Sequence, residues 1–195
     1  MIVKKIINIC KKSKNIFLYE NGDEQWISDG IAFYPLYGLP RFNESTLYQT
    51  YDITDNQQNK IRFRHESKLP TTLCFDDVMP GEVVCDQCPV GLSSADHGIV
   101  PYMTSEGIVF IDASYLAPLA NTREGMLGIY ERFTPSGQRY FAAKSGFMLL
   151  ALISPYDCIN ENFVKNLEIL HKQCEVALFN KRSRENKAAT EQEKF

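Results

Sequence analysis

The chain is predicted to be an α+β protein of two similar halves followed by a C-terminal helix. Three observations carry this. Val3, Ile6, Ile7 and Cys10 fall at i, i+3, i+4 and i+7, the spacing of one helix face. Short apolar runs parted by turn residues follow that face, and a helix-then-meander order recurs over residues 113–153. Near the end, Phe163, Leu167, Leu170, Cys174 and Leu178 form an apolar stripe with helical spacing.

Each element follows from its residues. Residues 2–13 are expected to be helical, with Lys4, Asn8, Lys11 and Lys12 opposite the apolar face. Their β-branched isoleucines lower helix propensity and leave a strand as the competing reading. Residues 16–19 read as a strand and Asn21-Gly22-Asp23 as a hairpin turn. Residues 25–27 and 31–36 follow as strands about a turn at Ser28-Asp29-Gly30. Residues 44–51 could be helical after Pro40, and residues 60–65 alternate like a strand. That alternation sets Ile61 and Phe63 on one side and Arg62 and Arg64 on the other. Residues 73–75 and 83–84 are short strand candidates.

Residues 85–98, rich in Cys, Gly, Ser and Asp, are expected to be the loop between an N-terminal half (1–84) and a C-terminal half (99–159). In the second half residues 109–111 read as a buried strand. Asp112 or Ser114 can then cap a helix over residues 113–122, whose apolar side is Tyr115, Leu116, Leu119 and Ala120. Three strands follow at 127–133, 139–144 and 147–153, turning at Pro135-Ser136-Gly137 and at Ser145-Gly146. A helix over 160–180 opens with Asn160 and Glu161. The charged residues 181–195 are expected to form a mobile tail.

With 195 residues, 44% of them hydrophobic and 23% charged, the chain can bury a core and falls outside the disordered class. A net charge of −3 does not announce nucleic acid, but its distribution is uneven. Residues 1–14 hold Lys4, Lys5, Lys11, Lys12 and Lys14 and no acid. Residues 16–60 hold seven acids against Arg41 and Lys60. No apolar run approaches the roughly 20 residues a membrane helix needs. Asn8, Lys11 and Lys12 interrupt any secretory core, so a cytoplasmic address is expected and no membrane partner.

The six cysteines are too sparse for a disulfide framework. Cys85-x-x-Cys88 could share a zinc, with Cys74 and His97 the nearest completing ligands, but a second ligand pair is missing. Buried or idle thiols are therefore the preferred reading, and neither metal nor cofactor is expected. Enzyme signatures are absent: there is no G-x-S-x-G elbow, no phosphate loop and no G-x-G-x-x-G. His65, His97 and His171 lie far apart with no motif around them. Trp26, Tyr34, Tyr37 and Phe42 could stack single-stranded bases, though aromatics at strand spacing are more often core.

One stretch, residues 109–155, resembles the C-terminal domain of DNA sliding clamps, the rings that tether polymerases to their template. A strand ending in Ile111-Asp112 leads into a helix with the pair Tyr115-Leu116 and a second leucine, Leu119. Three strands follow, the last being the apolar run from Leu149 to Ile153 that closes on Pro155. The resemblance covers about a quarter of the chain and rests on pattern alone. It implies a short, divergent clamp of phage or mobile-element type, with two clamp-like halves.

What the resemblance implies for function is a non-enzymatic processivity factor in DNA replication, assembled as a homo-oligomer. Clamps line their central hole with helices whose outward residues are basic. Here Lys4, Lys5, Asn8, Lys11, Lys12 and Lys14 would hold the backbone of double-stranded DNA without regard to sequence. A DNA polymerase or another replication protein would be the further partner. The chain departs from the pattern in having Glu44 and Asp52 around its second helix and no charge over residues 113–122. The first helix must then supply most of the positive lining. The alternative is a protein-interaction or regulatory binding module of the same fold that does not encircle DNA.

Overall fold

A computed structural model describes residues 1–94, 97–120 and 127–192. The chain divides into two compact units, Met1–Tyr156 and Asp157–Phe195. The protein is α+β, with a large sheet that is mostly antiparallel and a C-terminal helix.

The first unit opens with helix α1 (Val3–Ser13), which buries Ile6, Ile7 and Cys10 as the spacing predicts. Burying each isoleucine stabilises the unit by roughly 1.5–3 kcal/mol, enough to override β-branched propensity. Lys14 ends the helix in a left-handed conformation, with φ at 60°. Strands β1 (Asn15–Asn21), β2 (Glu24–Ser28) and β3 (Ala32–Pro35) follow as an antiparallel meander. Its first turn holds Gly22 at a φ of 60°, which glycine adopts without strain. Helix α2 (Glu44–Thr50) is fixed by a capping box in which Asn43 Oδ1 accepts from the Thr46 amide at 2.9 Å. The short helix α3 (Asp55–Gln58) leads to β4 (Arg62–Glu66), which lies parallel to β1.

Strands β5 (Val83–Gln87), β6 (Leu92–Ser94), β7 (His97–Thr104) and β8 (Gly107–Asp112) come next. Asp112 caps α4 (Ala113–Leu116), its Oδ1 accepting from the Ser114 amide at 2.8 Å. A second meander closes the unit: β9 (Leu127–Phe133), β10 (Arg139–Ser145) and β11 (Met148–Ile153). The two meanders join where β11 pairs with β3, Leu152 opposite Phe33 and Ile153 opposite Ala32. One sheet therefore runs β4-β1-β2-β3-β11-β10-β9-β5-β7-β6, with β8 paired to β7.

Each sheet face carries its own apolar cluster. Ile16, Leu18, Ile27 and Tyr34 join α1 and α2 on one face, with Phe42, Leu47 and Leu119. On the other, Trp26, Phe33, Tyr140, Leu149 and Leu152 are packed by Leu69, Leu73, Phe75 and Met79. Trp26, Tyr34 and Phe42 are thus core, as strand-spaced aromatics usually are, and Tyr37 is half-buried.

Four expectations change. Residues 85–98 are not simply a loop: β5, β6 and the start of β7 occupy much of the stretch, because ladder pairing to β9 and β7 overrides its turn-rich composition. Residues 73–75 form no strand and belong to an irregular strap, 67–82, lying over the second cluster. The helix at residue 113 ends early, passing at Pro118 into a 3-10 turn (Ala117–Leu119); residues 121 and 122 lie outside the described part. The expected mobile tail is helical as far as Gln192, since α5 (Glu161–Gln192) continues through residues free of Gly and Pro. Residues 193–195 lie outside the described part. Along α5 itself Leu167, Leu170, Val176, Leu178 and Phe179 are all exposed.

Candidate nucleic-acid interface

The lysine face of α1 exists as drawn from the sequence, but its six members divide into two kinds. Lys4, Asn8 and Lys12 are exposed and follow one another at intervals of one turn, and Lys14 is exposed at the helix end. Lys5 and Lys11 do different work. Lys5 Nζ donates to the Ala117 carbonyl at 3.1 Å and Lys11 Nζ to the Tyr51 carbonyl at 3.2 Å. Each leans along the flank of the helix and satisfies a carbonyl of a neighbouring segment, so neither charge stands free. No acid occurs on α1 itself, so the exposed stripe is one of lysines and an amide, with Asp112 the carboxylate across the groove from Lys12.

A part-buried polar network lies beneath this stripe. Tyr115 donates its hydroxyl to Asp29 Oδ2 at 2.9 Å, and Tyr34 donates to the Tyr115 carbonyl at 2.8 Å. Asp29 Oδ1 accepts from the amides of Ile31 and Ala32, both at 3.0 Å. Burial pushes the Cys10 thiol and the Tyr115 hydroxyl well up, and the charge of Asp29 adds to both, so both groups stay protonated. The Ile2 amide also reaches the Pro118 carbonyl at 2.7 Å. The network ties the β2–β3 turn to α4, and the bonds from Ile2 and Lys5 to Pro118 and Ala117, with the buried Ile6, Ile7 and Cys10, hold α1 against them.

Beside the stripe runs a groove of about 400 Å³ between α1 and the start of α4. Asn8, Lys12, Ser13, Asp112, Ser114 and Tyr115 line it. The sequence did not single out Ser13, Ser114 or Tyr115 for a site, since only the approach of α4 brings them to α1. A larger groove, about 680 Å³, lies against α2 and α3, and its Glu44, Asp52 and Asp55 carboxylates oppose any anionic ligand. Tyr48 in its wall has its pKa pushed up to about 12 by burial and then by Glu44.

The cysteine candidates are dispersed in character. Cys85 is buried on β5, and burial raises its pKa with the charge of Glu131 adding to it. Cys74 Sγ donates to Asp76 Oδ2 at 3.6 Å, and the Cys88 amide pairs with the Pro101 carbonyl. His97 opens β7, and its side chain lies outside the described part. Among the described residues no three His, Cys, Asp or Glu side chains assemble into a metal site. No helix among them is long and apolar enough to cross a membrane. Compared with known proteins, the chain matches no family model, no curated protein and no solved structure.

Proposed function

We propose that the protein is a non-enzymatic, DNA-associated factor of sliding-clamp type that holds the duplex backbone on helix α1. One observation carries the reading: Lys4, Asn8 and Lys12 stand exposed one turn apart on a helix whose opposite side is locked into the core. Phosphates need cations arrayed along a surface and no particular base, and this stripe supplies that. Two helix-and-meander sets, side by side in one sheet, support the clamp resemblance. Strand β4 ends the sheet on one side and β8, laid along the outer edge of β7, ends it on the other, and these unlike edges suit head-to-tail assembly of a cytoplasmic homo-oligomer that closes as a ring. A DNA polymerase or other replication protein would ride on it.

The second reading, a protein-interaction module that never encircles DNA, has its own support. A groove of about 250 Å³ is lined by Met1, Val3, Pro35, Tyr37, Leu39, Met148 and Leu150, which suits an apolar peptide segment.

Anisotropy of a labelled duplex over a salt series separates the two. With Lys4→Glu and Lys12→Glu together, affinity should fall and the log–log salt slope should shrink by about 0.9 per lost phosphate contact. Reversal of Arg182 and Arg184 should matter less. A parent protein that ignores duplex at low salt removes the first reading.

A further inference from the structure

On the sheet face opposite α1, Phe17 and Tyr19 lie side by side with their ring centroids 6.4 Å apart. Their neighbours Ile16 and Leu18 point into the cluster beneath α1, so strand alternation turns Phe17 and Tyr19 the other way. Both rings are half-buried: Tyr19 packs one side on Phe33, with centroids 5.6 Å apart, and each ring keeps part of its surface open. Gly30, with a φ of 99°, lies against Phe17: a Cβ there would make ordinary contact with the ring at 3.4 Å.

Strand β4 runs parallel to β1 and sets Arg62 opposite Asn15, Arg64 opposite Phe17 and Glu66 opposite Tyr19. Ile61 and Phe63 pack toward the α1 cluster, which puts Arg62 and Arg64 on the aromatic side. Both arginines are exposed, and neither is held in an ion pair among the described residues. Burial raises the pKa of the Tyr19 hydroxyl, Glu66 adds to that and Arg64 opposes it, in keeping with the register of β4 on β1.

We propose that this outer face of the β1–β4 pair binds single-stranded nucleic acid, with bases stacked on Phe17 and Tyr19 and phosphates held by Arg62 and Arg64. Every base has a π-face, so two half-exposed rings beside two guanidinium groups make a sequence-tolerant platform. Duplex bases, already stacked, cannot use it. Glu66 repels phosphate at one end and limits the tract to these two rings. The site stands on the other side of the sheet from α1 and does not depend on the duplex-binding proposal. The competing account is that Arg62 and Arg64 only guard an edge strand against pairing with another chain.

The experiment is anisotropy of a labelled dT oligonucleotide at low salt and over a salt series, with the full chain. Phe17→Ala with Tyr19→Ala should weaken binding about tenfold or more, and Phe17→Tyr with Tyr19→Phe should keep it. Arg62→Ala with Arg64→Ala, both exposed and harmless to the fold, should flatten the salt slope by about 1.4. Lys4→Glu with Lys12→Glu should leave the difference between these variants and their parent unchanged. If the parent ignores the oligonucleotide at low salt, or the arginine variant keeps its full slope, the edge-guard account wins. If the alanine variant proves unfolded, the arginine pair and the aromatic exchange still decide.

Discussion

Arg132 on β9 donates from Nε to Glu82 Oε2 at 2.8 Å, and its guanidinium also reaches the carbonyls of Cys74 and Asp76 at 3.0 Å and of Asp77 at 3.2 Å. Its side chain is fully buried. Lys144 Nζ pairs with the other Glu82 oxygen and sits 4.3 Å from the centre of the Tyr130 ring. A segment with no regular structure is thereby held on the sheet by one guanidinium that replaces a ladder. Tyr140 assists by accepting from the Cys74 amide at 3.1 Å, and Asp77 Oδ1 takes the Leu149 amide at 2.7 Å.

Removing Arg132 should therefore be severe. Arg132→Ala leaves Glu82 with Lys144 as its remaining charged partner and strips donors from three carbonyls; breaking such a buried pair costs about 3–5 kcal/mol. For a chain of this size that lowers the melting temperature by roughly 10 °C. Thermal unfolding followed by circular dichroism measures it, and a change of only a degree or two would mean the strap is held by its apolar residues alone.

Acid should unfold the protein through a small set of carboxylates. Burial alone would raise the pKa of Glu82, Glu131 and Glu20, but their donors outweigh it. These are Lys144 and Arg132 for Glu82, Ser105 and Arg139 for Glu131, and Gln25, His65 and Arg41 for Glu20, and all three pKa values fall below normal. The unfolded chain then binds more protons than the folded one as pH falls. The stability these groups contribute is complete above the unfolded carboxylate value and is lost as pH drops through the lowered folded values. Urea midpoints should stay level from neutrality to about pH 5 and decline below about pH 4. A midpoint unchanged at pH 3 would contradict this.

The lysines of α1 should split by role. Lys11→Ala removes a partly buried bond to Tyr51 and should cost about 1 kcal/mol. Lys4→Ala and Lys12→Ala should stay within about 0.5 kcal/mol of the parent. Equal costs for Lys11 and Lys12 in chemical denaturation would erase the distinction between anchoring and displayed lysines.

The tyrosine network offers a cleaner test of how α4 is held. Tyr115→Phe deletes one hydroxyl and leaves Asp29 Oδ2 without its donor, which should cost about 1–3 kcal/mol. The loss should appear in urea melts without a change in slope, because the compactness of neither state is altered.

Much of the fold was legible because periodicity and turn chemistry agreed. The 3.6-residue face of α1, the turn at Gly22 and the apolar runs of both meanders each pointed to one local structure. Pairing was less visible. Nothing in residues 85–94 separates a polar strand from a loop, since only Cys85 in β5 is buried and the ladder partners come from β7 and β9. The strap hid for the opposite reason: Leu73 and Phe75 look like strand residues, yet around them the backbone groups of Cys74, Asp76 and Asp77 are taken by Arg132 and Tyr140 rather than by a ladder. For the candidate site, the basic face could be read from spacing alone. That Lys5 and Lys11 turn aside to carbonyls could not, because Ala117 and Tyr51 reach α1 only in the folded chain.

The seam between β3 and β11 also bears on how the chain acquires its structure. The first meander leaves the ribosome early, but the strand that completes its edge is the last of the sheet to be made. Until β11 arrives, Ala32 and Phe33 lie on an open edge. A nascent chain stopped between these strands would present an apolar ladder edge with no partner, the kind of surface on which chains aggregate or recruit chaperones. High contact order of this sort slows folding, because distant segments must meet before the ladder forms. The first unit should thus become protease-resistant in a single late step, once residue 153 has cleared the exit tunnel, rather than half by half.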